Sequence, residues 1–174
     1  AGGWLNGNSN QTLILAGSLT SEAGANLGVT AAGDPTLTAI LTGDLTGFAG
    51  TVHSGRGNAI LSFGNGGAAA TLDTGEFIKA VSLGGAGTYR VNYTGTAGNL
   101  LYAGNVIDTA SLSVQGSDKL VLTGANTTTG ELNIAQNSSV QLGDGTGDNA
   151  AWAGTIAGAG NLTVSTSGSF AVGD

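Results

Sequence analysis

Few side chains in this chain of 174 residues could carry out hydrolytic chemistry. Asp44, His53 and Ser54 are the residue types of a Ser–His–Asp triad, in which the histidine takes a proton from the attacking serine. Gly55 and Gly57 follow closely and indicate a turn at this point of the chain. We therefore expect exposed polar residues at a corner here, and we predict no catalytic residue.

Paired carboxylates are a second possible chemistry, because glycoside-cleaving enzymes place two of them across the scissile bond. Asp73 with Glu76, and Asp144 with Asp148, could form such pairs. Enzymes of this kind usually grip sugars with several basic and aromatic side chains, but the chain has only four basic residues. A polysaccharide-cleaving enzyme is therefore the weakest of the functional hypotheses.

The segment from Gly143 to Asn149 (GDGTGDN) has the composition of a calcium-binding loop. It lacks the glutamate that closes an EF-hand loop. Asp144 and Thr146 also stand where the calcium-binding nonapeptide of β-rolls has glycine. The sequence favours a polar turn between strands, and we predict no metal site and no cofactor.

The two tryptophans, Trp4 and Trp152, could anchor a binding partner, because tryptophan is enriched at the centres of interfaces. In a repetitive rod, tryptophan more often fills a column of the core or covers an end. The sequence favours this second interpretation.

The glycine content restricts the possible folds more than any other feature of the composition. There are 33 glycines, where an average usage of about 7% would give roughly 12. A single proline, Pro35, excludes collagen, and a hydrophobic content of 40% is enough to offset the entropy lost on ordering the chain. The composition predicts many tight turns between short apolar runs.

Charged residues make up only 9% of the chain, and most of them are acidic, which gives a formal net charge of −7. Nucleic acids and anionic membranes require clustered lysine and arginine, so neither is an expected partner. Cysteine is absent, which excludes disulfides and thiolate metal sites. The absence of methionine leads us to expect a piece of a longer protein, and no apolar run is long enough to predict a membrane-spanning helix.

Short alternating or apolar runs closed by Gly, Asn, Asp, Ser or Thr recur along the whole chain and predict strands. They cover residues 12–15, 37–41, 59–63, 77–83, 88–93, 111–114, 119–122, 131–134, 139–142, 161–164 and 169–172. Glycine interrupts every stretch that could hold a helix, so an all-β fold is predicted. The strand spacing alone permits a β-sandwich, an up-and-down barrel or a solenoid.

Two internal repeats favour the solenoid. Residues 41–52 (LTGDLTGFAGTV) resemble residues 122–132 (LTGANTTTGEL), and residues 83–91 (LGGAGTYRV) resemble residues 156–164 (IAGAGNLTV). Repeated strand and turn units without helices are typical of β-solenoids. We predict one right-handed, single-stranded parallel β-helix over residues 1–174 with coils of roughly 20–25 residues, and a β-sandwich adhesin module as the alternative.

Residues 120–134 (LVLTGANTTTGELNI) resemble the passenger-associated transport repeat of autotransporters, which typically reads L-x-L-T-G-x-N-T-Y-T-G-x-T-x-I. Residues 138–143 (SSVQLG) stand in the place of the G-x-L-x-L-G strand that follows it, and residues 154–164 resemble the rung that joins such repeats. The chain departs from the pattern at Thr128, where tyrosine is common, and at Ser138, where glycine is usual. Residues 41–64 look like a diverged copy.

The resemblance covers about half of the chain, with residues 118–174 as its repeat region. It implies a right-handed β-helix that is exported through the outer membrane with the help of the protein's own translocator domain. It also implies display at the bacterial cell surface. A structural or adhesive segment is therefore the expected function, with a host surface ligand or a second copy of the chain as the partner. A pure stalk whose folding assists secretion is the alternative.

Overall fold

The computed structural model describes residues 2–7, 10–31, 37–44, 47–56, 59–67, 76–78, 82–84, 87–95, 99–146, 151–167 and 171–172. These ranges contain eighteen β-strands and no helix. A search of the same ranges for a long apolar helix able to cross a membrane finds none. The prediction of an all-β fold is confirmed.

The strands are two to six residues long, because glycines and polar turns end each run. In chain order they are β1 Gly2–Gly7, β2 Gln11–Leu15, β3 Asn26–Ala31, β4 Leu37–Leu41, β5 Thr51–Arg56, β6 Ile60–Phe63, β7 Glu76–Ile78, β8 Ser82–Gly84, β9 Thr88–Asn92, β10 Leu100–Tyr102, β11 Ser111–Gln115, β12 Lys119–Leu122, β13 Leu132–Ile134, β14 Ser139–Leu142, β15 Ala151–Trp152, β16 Ile156–Gly158, β17 Asn161–Val164 and β18 Ala171–Val172.

The strands form parallel sheets in which neighbours belong to successive coils. The long sheet has seven strands in the order β2-β4-β6-β9-β11-β13-β16. The N-terminal sheet has the order β1-β3-β5-β8, the C-terminal sheet has the order β7-β10-β12-β14-β17, and β15 pairs with β18. Every pairing in the described part of the chain is parallel, so the chain is a parallel β-helix and not a sandwich or an up-and-down barrel of antiparallel strands.

The length of a coil follows from the register of neighbouring strands. Leu112 lies beside Leu132, which is 20 residues further along the chain. The longest step joins Thr51 to Ser82, 31 residues further. This step contains residues 68–75, which lie outside the described residues. Most other steps fall within the predicted range of roughly 20–25 residues.

Columns of aligned apolar side chains fill the interior of the coils. Strands β9 and β11 alternate between partly exposed and buried residues, because successive side chains in a strand point to opposite faces of the sheet. One column of the long sheet consists of Ala39, Leu61, Tyr89, Leu112 and Leu132. The corresponding column of the C-terminal sheet consists of Leu100, Leu120, Val140 and Leu162.

Glycine allows successive coils to approach closely just before and just after a strand. A Cβ atom on Gly124 would overlap the carbonyl oxygen of Gly104 in the preceding coil. A Cβ atom on Gly130 would overlap the carbonyl oxygen of Ala110. Any larger residue at either position would push two coils apart, so the spacing of the stack requires glycine here.

The glycines of the first internal repeat make the same close contacts in both copies, but the two copies lie in different sheets. Gly43 and Gly50 approach carbonyl oxygens of the preceding coil just as Gly124 and Gly130 do. In the first copy, the strands before and after these glycines are β4 of the long sheet and β5 of the N-terminal sheet. In the second copy they are β12 of the C-terminal sheet and β13 of the long sheet. The second copy is thus displaced by one sheet around the rod.

The sequence pattern did not predict β10, β15 and β16, nor three of the four strands of the N-terminal sheet. Strands β1, β3 and β5 (GGWLNG, NLGVTA and TVHSGR) contain glycine or polar residues where an apolar alternation was expected. The predicted strand over residues 77–83 is also wrong in its extent, because β7 and β8 lie in different sheets. Residues 79–81 of that run lie outside the described residues.

The two end coils expose side chains of the core columns. Leu13 in β2 is 37% exposed, and Leu162 in β17 is 38% exposed. Residues at the same positions in inner coils, such as Leu112 and Leu120, are almost fully buried. The stacking of a further coil is what buries each column, since every coil packs only against its neighbours.

Replacement of Leu120 by alanine is expected to lower the free energy of unfolding by about 2–5 kcal/mol, because it removes a fully buried side chain. Leu162 lies in the same column two coils further on, and the half-exposed site should make Leu162→Ala much less costly. Equilibrium unfolding in urea, followed by circular dichroism, compares the two variants. Equal losses of stability would contradict this assignment of the core.

Candidate functional site

The structure separates the three residues that could have formed a triad. His53 and Ser54 are adjacent in β5, so their side chains point to opposite faces of the N-terminal sheet. The Ser54 hydroxyl is fully buried and donates a hydrogen bond to the carbonyl oxygen of Ala59 at 2.8 Å. The expectation of exposed corner residues is wrong for this pair, since both lie within a strand. Asp44 follows β4, and its carbonyl oxygen accepts a hydrogen bond from the Leu19 amide.

Ser54 belongs instead to a buried hydrogen-bond network around Tyr89. The Tyr89 hydroxyl donates to the carbonyl oxygen of Val52 at 3.0 Å and accepts from the Ser54 amide at 2.5 Å. Tyr89 is fully buried and extends from the long sheet to the N-terminal sheet. The network therefore joins two sheets across the interior, which is a structural role.

Asp144 lies in the turn after β14, where Thr146 holds its carboxylate. One oxygen of Asp144 accepts hydrogen bonds from the Thr146 hydroxyl at 2.7 Å and from the Thr146 amide at 2.9 Å. These two bonds hold the pKa of the Asp144 carboxyl below its usual range, and the bond from the hydroxyl has the larger effect. Asp73 and Asp148 lie outside the described residues, as does the side chain of Glu76.

No group of three or more histidine, aspartate or glutamate side chains able to hold a metal ion is found within the described ranges. The predicted turn after residue 143 is present up to Thr146, and residues 147–150 lie outside the described residues. The carboxylate of Asp144 is turned towards its own loop rather than towards other acidic groups of the described chain.

The two tryptophans occupy opposite environments. Trp152 is fully buried, and its indole nitrogen donates a hydrogen bond to the carbonyl oxygen of Gly130 at 3.2 Å. Trp4 is 65% exposed, and its ring lies over Gly28 of the next coil, where a Cβ atom would overlap it. The expectation of a core or end position is confirmed for Trp152, whereas Trp4 lies on the outer face of the first coil.

Asn126 connects its coil to the preceding one from a buried position. Its side-chain oxygen accepts a hydrogen bond from the Val106 amide at 3.1 Å. Its side-chain nitrogen donates to the carbonyl oxygen of Gly124, also at 3.1 Å. Asn126 is only 1% exposed. Its side chain therefore supplies the hydrogen bonds that two interior main-chain groups would otherwise make with water.

Thr128 and Ser138 make equivalent connections. The Thr128 hydroxyl donates to the carbonyl oxygen of Ala110 at 2.7 Å and accepts from the Gly130 amide at 3.0 Å. The Ser138 hydroxyl donates to the carbonyl oxygen of Gly116 at 2.7 Å. Both side chains are fully buried. The polar residues of the segment 120–143 that are buried thus bind coil to coil.

A groove of about 500 Å³ lies on the outer face of the long sheet. Each wall is a column of residues that lie beside one another in successive coils. The second column lies two residues further along each strand than the first. The first column contains Thr88, Ser111 and Glu131, and the second contains Ser113 and Asn133.

Hydrogen bonds fix the groove at Glu131. Its amide donates to the Ser111 hydroxyl at 3.1 Å, and its carboxylate accepts from the Asn133 side-chain nitrogen at 3.1 Å. The Glu131 carboxylate is exposed. The groove therefore presents hydroxyl, amide and carboxylate groups in fixed positions along the axis of the rod.

Arg90 lies in the same column of the outer face as Ser113 but is not one of the residues that line the groove. It lies in register between Ser62 and Ser113 of the neighbouring coils. Its Nε atom is buried and has no hydrogen-bond partner among the described residues. A buried donor without a partner costs about 1–3 kcal/mol, so this N–H lowers the stability of the fold.

Strand alternation assigns Thr88 and Arg90 to one face of β9, but the sequence did not identify the groove. Its walls consist of residues from three coils, and the register between coils determines which residues lie side by side. Glu131 and Asn133 are separated in sequence from Thr88 by more than a complete coil. Only knowledge of the coil lengths could have shown that these residues lie side by side.

Comparisons with protein families, with curated protein sequences and with solved structures find no match. The resemblance carried by residues 120–134 therefore remains an expectation about family. In the structure these residues form β12, the turn that contains Asn126 and Thr128, and β13.

Replacement of Asn126 by alanine is expected to lower the free energy of unfolding by about 1–3 kcal/mol, because it leaves the Val106 amide and the Gly124 carbonyl without a side-chain partner. The neighbouring Thr127 is exposed, so Thr127→Ala should change stability by less than about 0.5 kcal/mol. Urea unfolding of both variants measures the difference. Similar values would show that Asn126 does not connect the coils.

Replacement of Thr146 by alanine is expected to raise the pKa of Asp144 towards its usual range, because the hydroxyl donor is lost. In the native chain, the lowered pKa means that the ionised carboxylate stabilises the fold above the pKa of the unfolded chain. That contribution disappears as the pH falls through the folded-state pKa. An NMR titration of the Asp144 carboxyl measures the shift, and Thr127→Ala serves as the control that should leave it unchanged.

Proposed function

We propose that this chain is a structural and adhesive segment of an autotransporter passenger, displayed at the bacterial cell surface. One observation carries the proposal. The residues that the segment 120–143 shares with the transport repeat include Gly124, Asn126 and Gly130, and these three make the close contacts between coils. A repeat that is used for building coils would be expected to retain such residues.

The structural part of this role is supported by the way in which coils are added. Each coil hydrogen-bonds only to its two neighbours, so a new coil can fold on the end of those already formed. A chain that emerges through a membrane in an unfolded state could therefore fold in steps outside the cell. The buried contacts of Asn126 and Thr128 support this role for the repeat region.

The adhesive part of the role is supported by the outer face of the long sheet. Polar side chains with free hydrogen-bonding capacity line its groove, while the strands beneath are held rigidly in register. A surface of this kind can hold a partner through many weak hydrogen bonds, because the rod has already ordered the groups that make them. Such a surface favours an adhesive segment over a pure stalk.

A non-enzymatic role agrees with the state of the polar groups. The Ser54 hydroxyl is buried and engaged, and the Asp144 carboxylate accepts two hydrogen bonds from Thr146 that hold its pKa below the usual range. A glycoside-cleaving general acid needs the opposite, a raised pKa that keeps its proton near neutral pH. We therefore propose no catalytic residue.

Surface display tests the proposal. The chain is fused to an outer-membrane translocator domain in a bacterial host, and antibody binding to intact cells measures its display. We expect display of the native chain and a several-fold reduction for Asn126→Ala, whose coils stack less well, with Thr127→Ala as the matched control. Retention of the native chain inside the cell would contradict the passenger role.

The same cells separate adhesion from a stalk function. Ser113→Arg places a bulky charge in the groove on the outer face, where it should not disturb the core. It is expected to abolish cell–cell aggregation or adhesion to host cells at unchanged display. Thr163→Arg on the exposed outer face of the C-terminal sheet is the control. Equal adhesion of all three cell types would assign the chain to a stalk.

A further inference from the structure

We infer that Trp4, on the outer face of the N-terminal sheet, is the floor of a binding site for a neutral pyranose such as β-linked glucose. Its side chain is 65% exposed. Exposure alone does not make a site, since single apolar side chains are common on protein surfaces. The orientation of the ring, the polar residues around it and the absence of charge beside it carry the inference, which goes beyond the proposed function.

Gly28 fixes the orientation of the ring. Trp4 and Gly28 lie side by side in the register of β1 and β3. A Cβ atom on Gly28 would overlap Cε3, Cζ3 and Cδ2 of the indole almost equally, which happens only when the face of the ring, rather than its edge, meets that position. One face of the indole is therefore packed flat on the main chain of the next coil. The opposite face points to solvent, because the side chain is largely exposed.

A ring held in this way is a preorganised stacking surface. Packing on Gly28 leaves the indole few other orientations, so little conformational entropy is lost when a ligand covers its free face. The face of an aromatic ring carries partial negative charge and attracts groups with partial positive charge. The axial C–H groups of a β-linked glucose have this character and project together from one side of the sugar. A flat sugar ring therefore fits the free face of Trp4.

Polar side chains border the ring at the distance of sugar hydroxyls. Side chains two residues apart in a strand point to the same face, roughly 7 Å from each other. Asn6 therefore lies beside Trp4 on this face. Asn26 and Thr30 lie on either side of Gly28 in the next coil. Both asparagines are exposed, and each amide donates and accepts hydrogen bonds, as a sugar hydroxyl does.

The charge of the surroundings selects a neutral ligand. The strands that form the floor and its border, β1 (GGWLNG) and β3 (NLGVTA), contain no acidic and no basic residue. An acidic sugar or a nucleotide would find no cation in these two strands to pair with its anionic group. The net charge of −7 on the chain disfavours anions further.

The small apolar area argues against a protein as the partner. A specific protein–protein interface buries at least about 1,000 Å² and has an apolar centre made of several residues. On the outer face of β1 and β3, Trp4 is the single large apolar side chain. An isolated ring with a polar border matches the footprint of one sugar residue. Binding is expected to be weak, with a dissociation constant on the order of 1 mM.

NMR titration of the isotope-labelled chain tests the inference, because its two tryptophans lie in opposite environments. The indole N–H signal of Trp4 reports binding, and that of the buried Trp152 is the internal reference. Cellohexaose is the neutral probe, hexagalacturonate is the acidic probe, and glucitol is a polyol without a ring. We expect cellohexaose to shift the Trp4 signal saturably and to leave the Trp152 signal unchanged. The other two probes should bind at least fivefold more weakly.

Variants separate the floor of the site from its border, with main-chain amide signals of β3 as the readout. Trp4→Ala should weaken the binding of cellohexaose at least tenfold. Gly28→Val should weaken it at least fivefold, because the new side chain lifts the ring from the sheet. Asn26→Ala should weaken it about threefold. Thr12→Ala, on the exposed outer face of the long sheet in the same coil, is the control that should bind as the native chain does. An unchanged Trp152 signal verifies that each variant is folded.

The inference is overturned if cellohexaose leaves the Trp4 signal unchanged, or if Trp4→Ala binds it as well as the native chain does. Tighter binding of glucitol or hexagalacturonate would also overturn it. A shift of the Trp4 signal when the chain is concentrated without sugar would overturn it in favour of a contact between copies.

Failure of the sugar site and failure of the passenger role can be told apart, because sugar binding is measured on the purified chain. A displayed chain that does not bind cellohexaose would overturn only the sugar site. A chain that binds cellohexaose but is not displayed would overturn only the passenger role.

Discussion

The main-chain hydrogen bonds between successive coils are the interaction on which the rest of this structure depends. They are parallel and hold neighbouring coils about 4.8 Å apart, so each residue lies directly over its counterpart in the coil before it. Leu112 must fit between Tyr89 and Leu132, and Gly130 must fit over Ala110. Residue size at every position is therefore limited by two neighbours that are distant in sequence.

The same register organises polar groups in two ways. In the interior, Asn126 and Thr128 reach main-chain groups of the preceding coil that would otherwise be buried without partners. On the outside, it places hydroxyl, amide and carboxylate groups in two continuous columns with a groove between them. One geometric rule thus produces both the stability of the rod and the surface through which we propose that it binds.

The sequence predicted the parts of this fold that depend on local patterns. Alternation in β9 and β11 identified strands, and the repeated glycines around residues 43–50 and 124–130 identified coils. Strands of the N-terminal sheet were missed because glycine occupies positions such as Gly28, where the ring of Trp4 lies. The groove was missed because coil lengths vary between 20 and 31 residues, which makes the register unreadable from spacing alone.

The orientation of the hydrogen bonds also determines how such a rod would respond to mechanical load. They run along its long axis, from coil to coil, so tension applied at one end bears on the bonds between two coils at a time. The rod would yield by peeling, with each coil released in turn and the remainder intact. A load across the axis would instead be shared by many strands of the long sheet. Stretching of the rod would then be gradual, and refolding could restart from any surviving coil.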